Sequence, residues 1–145
     1  MHTILITGIG GFVGSHLADL LAQDNTTEIV GLAHPTYDAS YLAHKQHTRI
    51  FCEDIMNAEA VRTLLREINP DKIYHLAGMA HVHESWVARK ETIETNFLGT
   101  FYLLEACRAL PRFPRVLLVG SGECYGPVPE PEQPIVESKP LVPSS

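Results

Sequence analysis

No stretch of the chain is apolar for anything near the ~20 residues that a membrane-spanning helix needs. Met1-His2-Thr3 leads straight into a strand, without the basic segment and apolar core of a secretory leader, so secretion is not expected. Cysteine is scarce. Cys52, Cys107 and Cys124 are odd in number, far apart and without the spacing of a redox motif or a metal cage. They read as reduced, buried thiols of a cytoplasmic protein. Basic charge is short too: eleven Lys and Arg stand against seventeen Asp and Glu, a formal net charge of −6. The basic residues are also scattered, which argues against nucleic acid as a partner and leaves any anionic ligand dependent on a local basic site. Histidine is plentiful, eight in all, but His81-x-His83 and His44-x-x-His47 have no cysteine or paired carboxylates beside them, so no metal is expected.

What remains is a chain of 145 residues, 45% hydrophobic, enough for the core of one domain. Its organising stretch is Ile4-Leu5-Ile6-Thr7-Gly8-Ile9-Gly10-Gly11-Phe12-Val13-Gly14-Ser15-His16-Leu17. A branched apolar run passes through glycines into an amphipathic helix carrying Phe12, Val13, Leu17, Leu20 and Leu21. Strand, glycine-rich turn and helix in that order are what a dinucleotide-binding βαβ unit requires. Gly8 can turn sharply out of the strand, Gly11 presents no side chain to a pyrophosphate, and Gly14 lets the helix press on the sheet. The helix start then offers unpaired N–H groups to phosphates.

The pattern repeats down the chain. Glu28–Ala33 reads as a second strand, 35–48 as a polar surface connection, and Arg49–Cys52 as a third strand. Asn57 is a credible N-cap for a helix over Ala58–Glu67, with Val61, Leu64, Leu65 and Ile68 on one face. Lys72–Gly78 reads as a fourth strand ending in small residues. A long helix over 86–110 follows, with Ile93, Phe97, Phe101 and Leu104 as a core face, and then a fully buried fifth strand at Val116–Gly120. Alternating strands and helices predict an α/β fold with a doubly wound parallel sheet in order 3-2-1-4-5. Its crevice lies at Gly8, Gly78 and Ser121, where the order reverses. Residues 1–126 form this domain, and 127–145 form a proline-rich loop.

The end of strand two bears on the cofactor. An acid there, roughly 20 residues past the glycines, holds the ribose 2′-hydroxyl of NAD, whereas a basic residue suits the 2′-phosphate of NADP. This chain has Ala33-His34-Pro35 and no acid. NADP is therefore favoured over NAD, with His34 as a phosphate contact or else a solvent-facing loop residue.

Taken together, these residues resemble the extended short-chain dehydrogenase/reductases that act on nucleotide sugars. The matching pieces are Thr7-Gly8-x-x-Gly11-Phe12-x-Gly14, Asp54-Ile55, Tyr74-His75-Leu76-Ala77, Asn96-x-x-Gly99-Thr100 with Leu103-Leu104-Glu105-Ala106, and Ser121-Gly122-Glu123-Cys124-Tyr125-Gly126. Val82-x-x-Ser85-Trp86, the stretch Gly120–Pro129 and the tail from Glu137 look most like GDP-6-deoxy-mannose reductases, which reduce a 4-keto sugar with NAD(P)H.

The resemblance implies cofactor contacts at Thr7, Gly8, Gly11, Phe12, Val13, Gly14, His34, Asp54, Ile55, Leu76, Ala77, Gly78 and Asn96. It implies substrate contacts at Ser85, Ser121 and Gly122. Ser121 matches the Ser or Thr that hydrogen-bonds the sugar C4 oxygen, and Glu123 the position of a dehydratase's acid. Blander roles exist for several of these. Ser121 can cap its loop, Glu123 can be a solvated carboxylate, Asp54 a helix-start charge, and Ser85 the N-cap of the long helix. The family's Tyr-x-x-x-Lys pair, which follows a Pro-x-Ser segment like Pro143-Ser144-Ser145, is not in the sequence. Tyr41-x-x-x-Lys45 matches formally but lies on the wrong side of the sheet order. The chain thus reads as the amino-terminal portion of a longer enzyme, homodimeric when intact, without the sixth strand and the substrate lobe, and inactive by itself. A 4-epimerase or 4,6-dehydratase, or a non-catalytic NAD(P)-binding module, are the competing readings.

Overall fold

A computed structural model of the protein describes residues 2–38, 42 and 47–143. Five parallel strands form one sheet in the order β3-β2-β1-β4-β5, as the crossover rule requires. They are β1 (His2–Thr7), β2 (Thr27–Ala33), β3 (Thr48–Cys52), β4 (Lys72–His75) and β5 (Arg115–Leu118). The crossovers are α1 (Phe12–Leu21), α2 (Ala58–Ile68) and a broken helical segment comprising α3 (Val82–Val87), α4 (Arg89–Ile93), a π-helical turn (Glu94–Gly99) and α5 (Thr100–Arg108).

β1 is central, paired with β2 along Thr3↔Glu28 to Thr7↔Leu32 and with β4 along Ile4↔Lys72 to Thr7↔His75. Covered on both faces, its residues Ile4 to Thr7 are all buried. The strand alternation divides the core in two. Leu5, Val30 and Ile73 meet Val61 and Leu65 of α2 and Leu103 and Cys107 of α5. Ile4, Ile6 and Ile29 meet Ile9 and Ala18 on the opposite face. Each such aliphatic side chain contributes roughly 1.5–3 kcal/mol by leaving water.

α2 forms where its sequence demands. Asn57 Oδ1 accepts the Ala60 N–H at 3.2 Å, Val61, Leu64, Leu65 and Ile68 are buried, and Asn69 closes the helix at φ 40°.

Several expectations are corrected. β5 is an exposed edge: Leu117, Leu118 and Val119 are 51%, 44% and 64% exposed, because the strand pairs with β4 alone among the described residues. The long helix starts earlier, at Val82, and breaks at Ala88 (φ −103°, ψ 54°). It then widens to a π turn where the Thr100 hydroxyl donates to the Asn96 carbonyl at 2.7 Å while the Thr100 N–H turns to Phe97. Its expected core face is also displaced. Ile93, Phe97 and Phe101 are exposed, and the face packed on α2 is Leu103, Ala106 and Cys107. On α1, Phe12, Val13 and Leu20 likewise face outward.

The cysteines differ from one another: Cys107 is buried, Cys124 half-buried and Cys52 exposed. Burial pushes the Cys107 thiol up to about 11. Tyr41, Lys45 and His44 fall outside the described residues.

Candidate active site

The turn from β1 into α1 is built on contacts that admit only glycine. Gly8 has φ +71°, and a Cβ there would stand 2.8 Å from the Ala77 nitrogen and the Leu76 carbonyl carbon. A Cβ on Gly14 would stand 2.4 Å from the Gly8 oxygen, so α1 sits directly on the turn. Gly11 caps α1 with no side-chain hydrogen bond, and no acid occupies the first turn. The leading N–H groups are therefore left for an anion, and the cradle fits a pyrophosphate in shape and charge.

Thr7 plays a different part from its glycine neighbours. It is fully buried, and its hydroxyl accepts the N–H groups of Leu76 at 3.2 Å and Ala77 at 3.1 Å. Its contribution to a ligand is therefore through the backbone that it holds.

His34 and Asp54, read separately in the sequence, meet at the ends of β2 and β3. His34 Nε2 lies 3.7 Å from Asp54 Oδ2, while Nδ1 accepts the Thr36 N–H at 3.3 Å. The other Asp54 oxygen accepts the Met56 N–H at 2.9 Å. Ile55 is buried, with its side chain against Gly99. Sequence distance hid this pairing; the register of β2 on β3, Ala33 opposite Cys52, is what creates it.

The ends of β4 and β5 open into one crevice of about 1070 Å³, lined among others by Ala77, Gly78, Ser85, Asn96, Ser121 and Glu123. Ser121 Oγ accepts the Glu123 N–H at 3.2 Å and so starts the short helical turn Gly122–Tyr125. A serine at a strand end followed two residues later by a turn amide is the usual capping geometry, and it coexists with an exposed hydroxyl at the crevice. Gly122 does not line the crevice, and a Cβ there would meet open space. Ser85 is inside α3, its N–H donating to the His81 carbonyl at 3.0 Å, so it is not an N-cap. Asn96 fixes the crevice floor by bonding both backbone groups of Met79.

Two features of the wall escaped the sequence reading. Arg89 is the one Arg or Lys among the described lining residues, stacked 5.4 Å over the Trp86 ring with Nε donating to the Trp86 carbonyl at 3.1 Å. His75, buried beneath Leu76 and Ala77, bonds Thr7 and Thr100. Burial holds its imidazole below the usual range, so the neutral form is favoured. The i, i+3 spacing of Trp86 and Arg89 was a readable signal; the His75 contacts span 68 and 25 residues and had none.

The family model described as GDP-mannose 4,6 dehydratase matches residues 5–145. The chain belongs to this family. Among curated proteins, GDP-6-deoxy-D-mannose reductase of Pseudomonas aeruginosa is 32% identical over 134 residues, covering 92% of this chain and 38% of that protein. The dTDP-glucose 4,6-dehydratase of Neisseria gonorrhoeae is 30% identical over 155 residues, covering 98% and 45%. Among solved structures, the UDP-glucose 4-epimerase of Thermus thermophilus in complex with NAD superposes with a TM-score of 0.86 at 31% identity, covering 99% of this chain and 45% of that one. The chain thus spans less than half the length of these relatives.

In this member of the GDP-mannose 4,6 dehydratase family, the crevice and the glycine cradle both lie at the carboxyl ends of the strands. No helix among the described residues is long and apolar enough to cross a membrane, and none of their His, Cys, Asp and Glu side chains form a group of three that could hold a metal ion.

Proposed function

We propose that the chain is the dinucleotide-binding part of an NAD(P)-dependent nucleotide-sugar oxidoreductase, serving the reduction of the 4-keto group of a GDP-6-deoxy-4-ketohexose. The observation that carries this reading is the meeting of Ser121 and Glu123, from the end of β5, with Ala77 and Gly78, from the end of β4, in a single crevice. Small residues on one wall leave room for a flat ring, and the hydroxyl opposite can donate to a sugar oxygen. The similarity to GDP-6-deoxy-D-mannose reductase favours reduction, and Gly122, where dehydratases keep a polar residue, argues in the same direction.

The Gly8–Gly14 cradle would hold the cofactor's pyrophosphate and Asp54 its adenine end, as the NAD bound by the Thermus epimerase supports for a nicotinamide dinucleotide generally. When bound, the cofactor supplies the hydride. Ser121 would hydrogen-bond the sugar C4 oxygen as negative charge develops there. His34, in place of an acid at the end of β2, favours NADP. The proton-donating Tyr-x-x-x-Lys pair that the resemblance implies is not among residues 127–145. The exposed Phe97 and Phe101 are read as part of the contact that joins two subunits.

The test is turnover by the intact protein given GDP-4-keto-6-deoxymannose and NADPH. Consumption of the reduced cofactor is expected, with kcat of Ser121→Ala lowered about 100-fold, the scale of a lost donor at a developing oxyanion. Interconversion of C4 epimers without net cofactor consumption would reassign the protein to epimerisation.

A further inference from the structure

A line of hydrogen bonds, buried at its Thr7–His75 link and exposed at Asn96, runs along the crevice and joins three elements. The Thr7 hydroxyl accepts from Leu76 N–H and Ala77 N–H at 3.2 and 3.1 Å, which leaves its own proton for His75 Nδ1, 2.7 Å away. The imidazole then carries its proton on Nε2 and donates to Thr100 Oγ1 at 2.9 Å. The Thr100 hydroxyl in turn donates to the Asn96 carbonyl at 2.7 Å, and the Asn96 side chain holds the Met79 backbone. The Leu76 N–H is shared with the Thr7 carbonyl at 3.2 Å, while the Thr7 hydroxyl, His75 Nε2–H and the Thr100 hydroxyl each have one acceptor in the line. A single tautomer therefore satisfies it, and no buried side-chain polar atom of the described residues is left without a partner.

The chain ends at two close backbone approaches. On one side Leu76 and Ala77 press on Gly8, within 2.8 Å of where a Cβ would stand. On the other, Gly78 packs against Asn96, where a Cβ would lie 3.1 Å from Oδ1. The Leu76–Gly78 segment is thus clasped between the glycine cradle and the π-helical turn. Among the described residues His75 is the one side chain bonded both to Thr7, just before the cradle, and to Thr100, just after the turn.

We propose that His75 and Thr100 are positioning residues which, through Thr7, set the Leu76–Gly78 backbone against Gly8 and so fix the distance between the dinucleotide cradle and the crevice. Both residues line the crevice, but their polar atoms are engaged by Thr7, by each other and by the Asn96 carbonyl, so their action runs through the main chain of Leu76 and Ala77. The link to a dinucleotide rests on the function proposed above, whereas the mechanical part does not.

The experiment is amide hydrogen exchange at Leu76 and Ala77, with NADPH and NADH titrations, in the intact protein and in Thr100→Val, Thr100→Ser, His75→Phe and the His75→Phe/Thr100→Val double variant. Thr100→Val touches neither amide, yet exchange at Ala77 should quicken and both dissociation constants rise, each about tenfold for one propagated hydrogen bond. Thr100→Ser should restore both. In the double variant the effect of Thr100→Val should vanish, since the intermediary is already gone. Unchanged exchange at Ala77 in folded Thr100→Val, or effects that simply add in the double variant, would overturn the proposal. Wild-type protein that binds neither nucleotide while exchange responds as described would overturn the cofactor reading and leave the mechanical coupling standing.

Discussion

Asn96 grips the main chain of Met79 from both sides: its Oδ1 accepts the Met79 N–H at 2.7 Å, and its Nδ2 donates to the Met79 carbonyl at 3.1 Å. Asparagine is a poor residue in a helix, and here it stands in the π-helical turn that crosses behind the crevice. The paired bonds tie the segment after β4 to that turn. Asn96→Asp keeps the acceptor and loses the donor; Asn96→Ala loses both. At about 1 kcal/mol per net hydrogen bond, urea unfolding should show Asn96→Ala losing more stability than Asn96→Asp. Equal stability for all three proteins would show that the grip contributes nothing.

The glycines separate cleanly by what surrounds them. Gly14→Ala puts a methyl group 2.4 Å from the Gly8 oxygen, a contact with backbone that cannot swing aside, whereas Gly122→Ala meets nothing within 4 Å. Overpacking of this kind costs about 1–3 kcal/mol. Thermal denaturation should place Gly14→Ala well below the parent protein and Gly122→Ala beside it. NADPH binding should weaken in the first variant alone.

The chain holds Ser121 at the crevice but no tyrosine with a lysine four places on beside it. Ser121 can donate to a sugar oxygen but cannot serve as the lowered-pKa acid that protonates it. The 145 residues expressed by themselves should therefore leave a 4-keto sugar nucleotide unreduced, with NADPH absorbance constant over time. Measurable turnover would demand another proton donor within the crevice.

The fold was legible because periodicity and turn chemistry agreed. Ile4 to Thr7 could be read as buried from their unbroken apolar run, and Asn57 as a cap from its place before Val61, Leu64 and Leu65. The errors came where an apolar run is half of a pair. Val116 to Val119 and the stripe Ile93, Phe97, Phe101 carry core-like sequences, but β5 is an edge and α5 buries its other face on α2. Periodicity reports that a face is apolar, not what covers it. The convergence of Ser121, Glu123 and Gly78 on one crevice was legible because strand ends in a doubly wound sheet converge, whereas Gly8, expected there too, is not among the residues that line it. The His34–Asp54 and Thr7–His75–Thr100 contacts were not, since register and long-range pairing decide them.

Thiol chemistry should follow burial. Cys52 is exposed, Cys124 half-buried, and Cys107 buried with its thiol raised to about 11. The thiolate is the reacting species, so raising its pKa and removing it from solvent act in the same direction. Timed alkylation of the folded protein, read by peptide mass, should label Cys52 first and Cys107 only with unfolding. Early labelling of Cys107 would mean that α5 separates from α2 without global unfolding.

Acid should weaken the protein in two stages, and the first belongs to His75. Its folded-state pKa lies below the ordinary 6.5 because burial disfavours the imidazolium. The unfolded chain then binds a proton that the folded one resists, so stability is full above about 6.5 and falls as pH drops below it. The second stage is due to Asp71, lowered mainly by its hydrogen bond from Arg112, and to Asp24, lowered mainly by the Thr26 N–H. Both carboxyls lie below 3.8, so their contribution is lost only as pH falls through that lower range. Urea midpoints taken from neutral pH downward should therefore decline well before the carboxylates titrate. His75→Phe should start lower, for want of its two hydrogen bonds, but decline less over the first stage. A parallel decline in the two proteins would place the acid-sensitive group elsewhere.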